Sequence, residues 1–418
     1  MSSILSRRIA LGLLFAGSIS LMRPGHPSFS LAAAGSPQGL PQAAPELVGL
    51  SASHLQYIDD TVAAAIGRME LPGAVVLVAR RGRIAYFKAF GNRANHPVVE
   101  AMTTDTIFDV ASLTKVMATT PAIMLLVERG LLRLDDKVKR YLPEFAGWGK
   151  DAITVRQLLT HFSGLRPDFD LAVQWEGYPA TMEHLWRETA SGEAGKEFVY
   201  SDLNFITLGE IVQRVSGQSL DAFVRQHLFD PLGLDETAFN PPAAWRGRIA
   251  PTEPRERSLQ YLNGKAGREI SQEILRGSVH DPTAWRMGGV AGHAGLFSSA
   301  RDVSIYGQLL LNRGHYMGKR VFSPITVEAM TTPQSPRDAF PLRGLGWDID
   351  STFSTPRGDL LSGGFGHTGF TGTSFWVHPP TETFIILLSN RVHPEGKGDV
   401  THLRAVIANI VAAAISSN

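Results

Sequence analysis

The chain has 418 residues, 44% hydrophobic and 19% charged, with a formal net charge of +1. Such a composition suits a soluble globular protein with a sizeable core and a two-lobed unit, and lacks the basic stripe that nucleic-acid binding leaves. There is no cysteine, so disulfides, thiolate catalysis and cysteine-held metals are excluded.

Arg7 and Arg8 precede an apolar stretch from Ile9 to Met22, and Leu31-Ala32-Ala33-Ala34 follows as a small-residue cleavage site. A basic start, an apolar middle and a small-residue end form an export signal. The Ser6-Arg7-Arg8 run hints at the twin-arginine route. A membrane anchor is the competing reading, but the stretch is shorter than the roughly 18–20 apolar residues of a spanning helix. No later segment is long and apolar enough to span a bilayer. Residues 1–34 are therefore expected to be removed, leaving a periplasmic or secreted protein. Residues 35–46, rich in Pro, Gly, Ala and Gln, are expected to be a disordered lead-in.

Leu55, Ile58, Val62, Ala65 and Ile66 follow helical spacing, predicting a helix from His54 to Arg68 capped by Ser51 or Ser53. Ala74–Ala79 and Arg83–Phe90 predict a hairpin turning at Arg80-Arg81-Gly82. Thr103–Val110 leads in extended form to Ser112, and Leu113–Arg129 predicts a long helix stopped by Gly130. Helical patterns recur at Ile153–His161, Leu208–Val215 and Ser219–Leu228, while Pro241–Asp281 is polar and irregular. Strands return at Leu345–Ile349, Ser374–His378 and Thr383–Ser389, and a helix at Thr401–Ala414 ends the chain. The expected fold is α+β. N- and C-terminal strands share one antiparallel sheet covered by the terminal helices, with residues 47–110 and about 285–418 forming the sheet lobe and about 111–284 a helical lobe.

Three constellations could carry chemistry. Ser112 and Lys115 sit one helical turn apart, so the amine can reach the hydroxyl and activate it. Taken alone they also suit a helix cap and a solvated lysine. The apolar Val110, Leu113, Val116 and Met117 would bury the lysine stem and lower its pKa toward the range of a base. Tyr200-Ser201-Asp202 offers a phenol as proton shuttle, or a tyrosine packed at a loop edge. Gly363 to Thr373 holds His367-Thr368-Gly369 within a literal G-x-G-x-x-G, but a strand follows rather than a helix, which excludes a dinucleotide loop. A glycine-rich strand instead lets a substrate backbone come close. Arg286–Phe297 is also glycine-dense and is expected to be a packing turn, with a cleft wall as the alternative. His161, His280, Asp281, His293 and His367 are scattered without metal-ligand spacing, so neither a metal nor a cofactor is expected. No G-x-S-x-G elbow is present.

In order and spacing, Ser112-Leu113-Thr114-Lys115, Tyr200-Ser201-Asp202 and His367-Thr368-Gly369 resemble the three motifs of the serine β-lactamase and penicillin-binding-protein superfamily. The nearest branch holds class C β-lactamases, D-alanyl-D-alanine carboxypeptidases and related esterases. The segment Leu158–Leu165 is familiar in that branch, and the likeness runs from about Leu47 to Ala414. The resemblance implies acyl transfer through Ser112, with Lys115 as general base or as a tuner of Tyr200. It implies Tyr200 as proton shuttle, amides of Ser112 and Phe370 as oxyanion donors, and His367, Thr368 and Gly369 lining the site. Two residues depart from the pattern. Asp202 replaces an amide, and would repel acidic groups or pair with Lys115 and raise its pKa. His367 replaces a permanent cation with one that titrates near pH 6.5, so carboxylate binding should weaken above that pH. The expected substrate is a small molecule or peptidoglycan-derived peptide of D-Ala-D-Ala type. A carboxylesterase, or a penicillin-binding sensor without turnover, is the alternative.

Overall fold

A computed structural model describes residues 39–255 and 273–416. The expected export signal, the first part of the lead-in and much of the unassigned Pro241–Asp281 segment lie outside the described residues. The remainder of the lead-in is not disordered. Leu40 is buried, Gln42 bridges to Ile84, and the Ala43 amide donates to the Ile84 carbonyl at 2.9 Å. A buried leucine and the free edge groups of the hairpin give this polar-looking stretch somewhere to bind.

The strands are β1 (Gly73–Arg80), β2 (Arg83–Ala94), β3 (Glu100–Ala101), β4 (Ile107–Asp109), β5 (Ala238–Phe239), β6 (Leu296–Ser299), β7 (His315–Tyr316), β8 (Lys319–Arg320), β9 (Leu342–Arg343), β10 (Asp348–Asp350), β11 (Phe365–Thr368), β12 (Ser374–His378) and β13 (Thr383–Ser389). Among the described residues the main sheet runs β3-β2-β1-β13-β12-β11-β10-β9, and all its pairings are antiparallel. β1 and β13 lie inside the sheet and are buried along their whole length, which is why both are unbroken apolar runs. The β1–β2 turn places Arg81 at φ 50° and Gly82 at φ 76°, the left-handed pair that suits the twist of a two-residue hairpin. The fold is α+β, as expected.

One face of β1 (Ala74, Val76, Val78) packs on the helices Ala52–Leu55, Tyr57–Gly67 and Thr401–Ala414. Both terminal helices therefore cover a single face. The other face (Val75, Leu77, Ala79) belongs to the larger core, shared with helix Ala300–Leu311 and the mainly helical segment between residues 111 and 284. A three-stranded sheet, β4-β6-β5, joins that segment to the chain just before Ser112.

Several elements differ from expectation. The first helix breaks at Gln56. Leu113–Arg129 is interrupted by a wide π-type turn over Lys115–Thr119 before helix Thr120–Glu128. Of Leu345–Ile349 only Asp348 and Ile349 are strand, in β10, because Gly346 turns the chain at φ 79°. The Ser374–His378 and Thr383–Ser389 strands and the Thr401–Ala414 helix have the expected bounds.

Candidate active site

β4 delivers the chain to Ala111, which holds φ 48°. A left-handed non-glycine residue costs on the order of 1–3 kcal/mol and persists only where its surroundings impose it. Here the buried Asp109 carboxylate accepts the Ala111 amide at 2.9 Å and the His280 amide at 2.7 Å. The Thr114 hydroxyl donates to the Ala111 carbonyl at 2.6 Å. The bend presents Ser112 to a cavity of about 340 Å³.

Lys115 lies directly beneath Ser112 and is fully buried. Its ammonium donates to Ser112 Oγ at 3.0 Å and to the His293 carbonyl at 3.0 Å, and it pairs with Asp202 Oδ1 at 2.6 Å. The π-type turn belongs to this anchoring, since Thr119 in the same turn donates to the Gly292 carbonyl at 2.6 Å. Burial alone would lower the lysine pKa, but the Asp202 carboxylate, with the Tyr200 phenol beside it, outweighs burial and holds the amine above its ordinary value. This overturns the expectation of a lysine tuned down into the range of a base. Asp202 takes the second of its two expected roles.

Asp202 opens the helix Asp202–Ser216. Three hydrogen bonds pin that helix start. The Asp202 amide donates to the Pro167 carbonyl at 2.7 Å, the Ser201 hydroxyl to the Arg166 carbonyl at 2.6 Å, and the Ser201 amide to His161 Nδ1 at 3.1 Å. His161 ends helix Val155–Thr160 in the left-handed conformation and stacks on the Tyr200 ring at 4.4 Å and 27°. Burial and the nearby Arg343 and Lys115 push its pKa well below the ordinary histidine value, so it is neutral. The Lys115 ammonium stands 5.1 Å from the Tyr200 ring centre.

His367 and Thr368 of the third motif end β11, and Gly369 follows it. His367 and Thr368 line the cavity with Ser112, Tyr200, Asp202 and Phe370. Lys115 and Gly369 lie behind that lining. A Cβ on Gly369 would come within 2.1 Å of Thr373 Oγ1, and one on Gly366 within 2.2 Å of the Trp376 ring. These glycines make room for protein atoms, which corrects the expectation that they admit a substrate backbone. His367 also departs from expectation. It is 4% exposed, its Nδ1–H donates to the Thr368 carbonyl at 2.8 Å, and Nε2 has no partner. Burial, then Arg343 and Lys115, lower its pKa well below 6.5. A neutral imidazole cannot be the pH-dependent cation for a substrate carboxylate.

Asp168, His280, Asp281, Arg343, Asp348 and Phe353 complete the polar and aromatic wall. Most have a polar partner. Arg343 Nη1 donates to Asp348 Oδ1 at 2.8 Å, His293 Nε2 meets Asp281 Oδ1 at 2.8 Å, and His280 Nε2 meets Glu253 Oε1 at 2.7 Å. The Asp281 carboxylate overcomes the effect of burial and raises the His293 pKa. The glycine-dense Arg286–Phe297 segment is a packing turn, as expected: a Cβ on Gly292 would stand 1.9 Å from the Phe205 carbonyl oxygen. It also supplies the carbonyls that hold Lys115 and Thr119. Asp202, Asp281 and His293 are not scattered; one ligand atom from each lies within 4.8 Å of the others. They match a three-ligand metal site in number. Lys115 already neutralises Asp202 and would repel a divalent ion beside it, and Asp281 engages His293, so the set fits an ammonium better than a metal.

Comparison with known proteins agrees with this geometry. The Beta-lactamase family model matches residues 58–409. An Escherichia coli (strain K12) protein named "Putative D-alanyl-D-alanine carboxypeptidase" is 32% identical over 383 residues, covering 85% of this chain and 86% of its own. A Salmonella agona protein of the same name is 33% identical over 387 residues, with the same shares. A solved class C β-lactamase superposes with a TM-score of 0.67 at 20% identity, covering 88% of this chain and 98% of its own. EstCE1, titled a hydrolase with promiscuous acyltransferase activity, gives 0.67 at 22% identity, covering 86% and 99%. These structural likenesses speak to the fold. Among the described residues no helix is long and apolar enough to cross a membrane. The chain belongs to the Beta-lactamase family and is a serine hydrolase of the β-lactamase and penicillin-binding-protein superfamily.

Proposed function

We propose that this hydrolase is exported and cleaves D-Ala-D-Ala-type peptides through an acyl-enzyme on Ser112, with related β-lactams as slower substrates. The carrying observation is the fixed Lys115 ammonium, 3.0 Å from Ser112 Oγ and locked by Asp202. A protonated lysine cannot take the serine proton. The phenolate form of Tyr200 takes it as Ser112 Oγ attacks the carbonyl carbon, and the phenol so formed returns it to the departing amine as the carbon–nitrogen bond breaks. In the second half the phenolate takes a proton from water, hydroxide attacks the ester, and the proton returns to Ser112 Oγ as the acyl–oxygen bond breaks. Lys115 supports the negative charge that develops on either oxygen. Amides of Ser112 and Phe370 hold the oxyanion, and Thr368 and His367 border the bound chain. The names of the sequence relatives support the peptide substrate. Export rests on Arg7, Arg8 and the apolar Ile9–Met22 stretch.

A carboxylesterase is the second reading. It is favoured by the absence, among the described residues lining the cavity, of a free cation for a substrate carboxylate, since His367 is neutral and Arg343 is committed to Asp348. One panel decides between them: a D-Ala-D-Ala peptide, a chromogenic cephalosporin and short-chain nitrophenyl esters. Ser112→Ala should abolish turnover of every active substrate while the circular-dichroism spectrum stays that of wild type. Wild-type turnover by that variant would refute the acyl-enzyme.

A further inference from the structure

Cancelling the ion pairs around the cavity leaves one carboxylate over. Lys115 answers Asp202, His293 answers Asp281, and Arg343 answers Asp348. Asp168 also lines the cavity, and among the described residues it has no ion-pair partner within reach. Its oxygens accept from the Thr283 hydroxyl at 2.9 and 3.1 Å, and from the Phe169 amide at 2.8 Å. The cations that act on it are committed elsewhere, His293 to Asp281 at 2.8 Å. Arg166 makes two bonds to Glu188, at 2.7 and 2.8 Å, and Arg286 donates to the Leu171 and Val173 carbonyls, both at 2.9 Å. Burial, with Asp281 and Asp202 close by, lifts the Asp168 carboxyl to about 7, as expected for an anion lacking its counter-ion.

His367, in the same wall, adds no cation: it is more than nine-tenths buried and its Nδ1–H donates to the Thr368 carbonyl. Among the described residues the cavity therefore offers a carboxylate without a counter-ion and no free cation. A compact group with several N–H donors and a positive charge answers that carboxylate; a second carboxylate would be repelled by it. The half-exposed rings of Phe353 and Phe370, in the same lining, suit an alkyl stem.

We propose that the preferred acyl donor of this site carries a primary ammonium group on an alkyl stem, with Asp168 as its counter-ion. The inference rests on the acyl-enzyme reading above and names the acyl group that reading leaves open.

The test compares three 4-nitrophenyl esters of matched length on the full chain: 6-aminohexanoate, heptanoate and the mono-ester of adipate. The leaving group is constant, so differences in kcat/KM report the acyl end. The expected order is cationic, then neutral, then anionic, with steps of about tenfold, in the range measured for a charge met or left unmet in a partly desolvated site. In Asp168→Asn, checked for a native circular-dichroism spectrum, the cationic-to-neutral ratio should fall to within about threefold. Wild-type values within about threefold for all three esters, or adipate fastest, would overturn the inference while leaving the hydrolase intact. If Asp168→Asn fails to fold, the wild-type series alone decides. Failure to turn over any ester, with no acyl mass on Ser112, would overturn the acyl-enzyme reading and this inference with it.

Discussion

Asp202→Asn separates the two roles open to Lys115. The ion pair measures 2.6 Å between atoms. With charge centres about 4 Å apart and an effective dielectric of about 20, the attraction is about 4 kcal/mol. The Asp202 side chain is 23% exposed, and solvent screening trims this to about 3 kcal/mol. At about 1.4 kcal/mol per pKa unit, losing the carboxylate lowers the lysine pKa by about 2 units. Burial, which already pulls the amine down, then acts with less opposition. The assay is kcat/KM for a nitrophenyl ester against pH, wild type beside Asp202→Asn. If Lys115 works as a cation, the variant loses activity on the alkaline side about 2 units earlier. A variant that instead gains activity as its lysine loses the proton would show a neutral amine acting as base, and would refute the argument. Superimposable profiles would show that the pair does not control the reaction.

Three further outcomes follow from the geometry. Tyr200→Phe should lower kcat by about 10²–10⁴ with an unchanged melting temperature, read by steady-state kinetics and calorimetry. Gly292→Ala should lose about 2–3 kcal/mol of stability in urea titration, because its Cβ would meet the Phe205 backbone at 1.9 Å. Arg343→Met should cost about 3–5 kcal/mol, since it leaves the buried Asp348 carboxylate uncompensated. Adding Asp348→Asn should recover part of that loss, and a double variant no more stable than Arg343→Met would argue against the pair as the cause.

What was legible in the sequence was local. Ser374–His378 and Thr383–Ser389 stand out because an apolar run meets a Pro379-Pro380 turn, and each strand is buried on both faces. Ser112, Tyr200 and His367 could be named because their motifs occupy a few consecutive residues. Their protonation states could not, because these arise from distant partners. Lys115 answers to Asp202, and His367 is neutral because the folded chain buries it beside Arg343 and Lys115. Asp168, Asp281, His293 and Arg343 carry no motif. Their significance lies in which of them are paired across the cavity. His161 left one faint signal, a histidine before Ser163-Gly164 at the end of a capped helix, and its stack on Tyr200 appears only in three dimensions.

Pairing of β1 with β13 in the interior of the sheet has a consequence for biosynthesis. The nascent N-terminal hairpin must wait until residues 383–389 have left the ribosome before its missing neighbour exists. Such long-range closure slows folding. A premature stop anywhere ahead of Thr383 deletes an inner strand rather than trimming an edge. Truncated products would therefore expose the apolar flank of β1 and be cleared by proteases, instead of persisting as shortened enzymes.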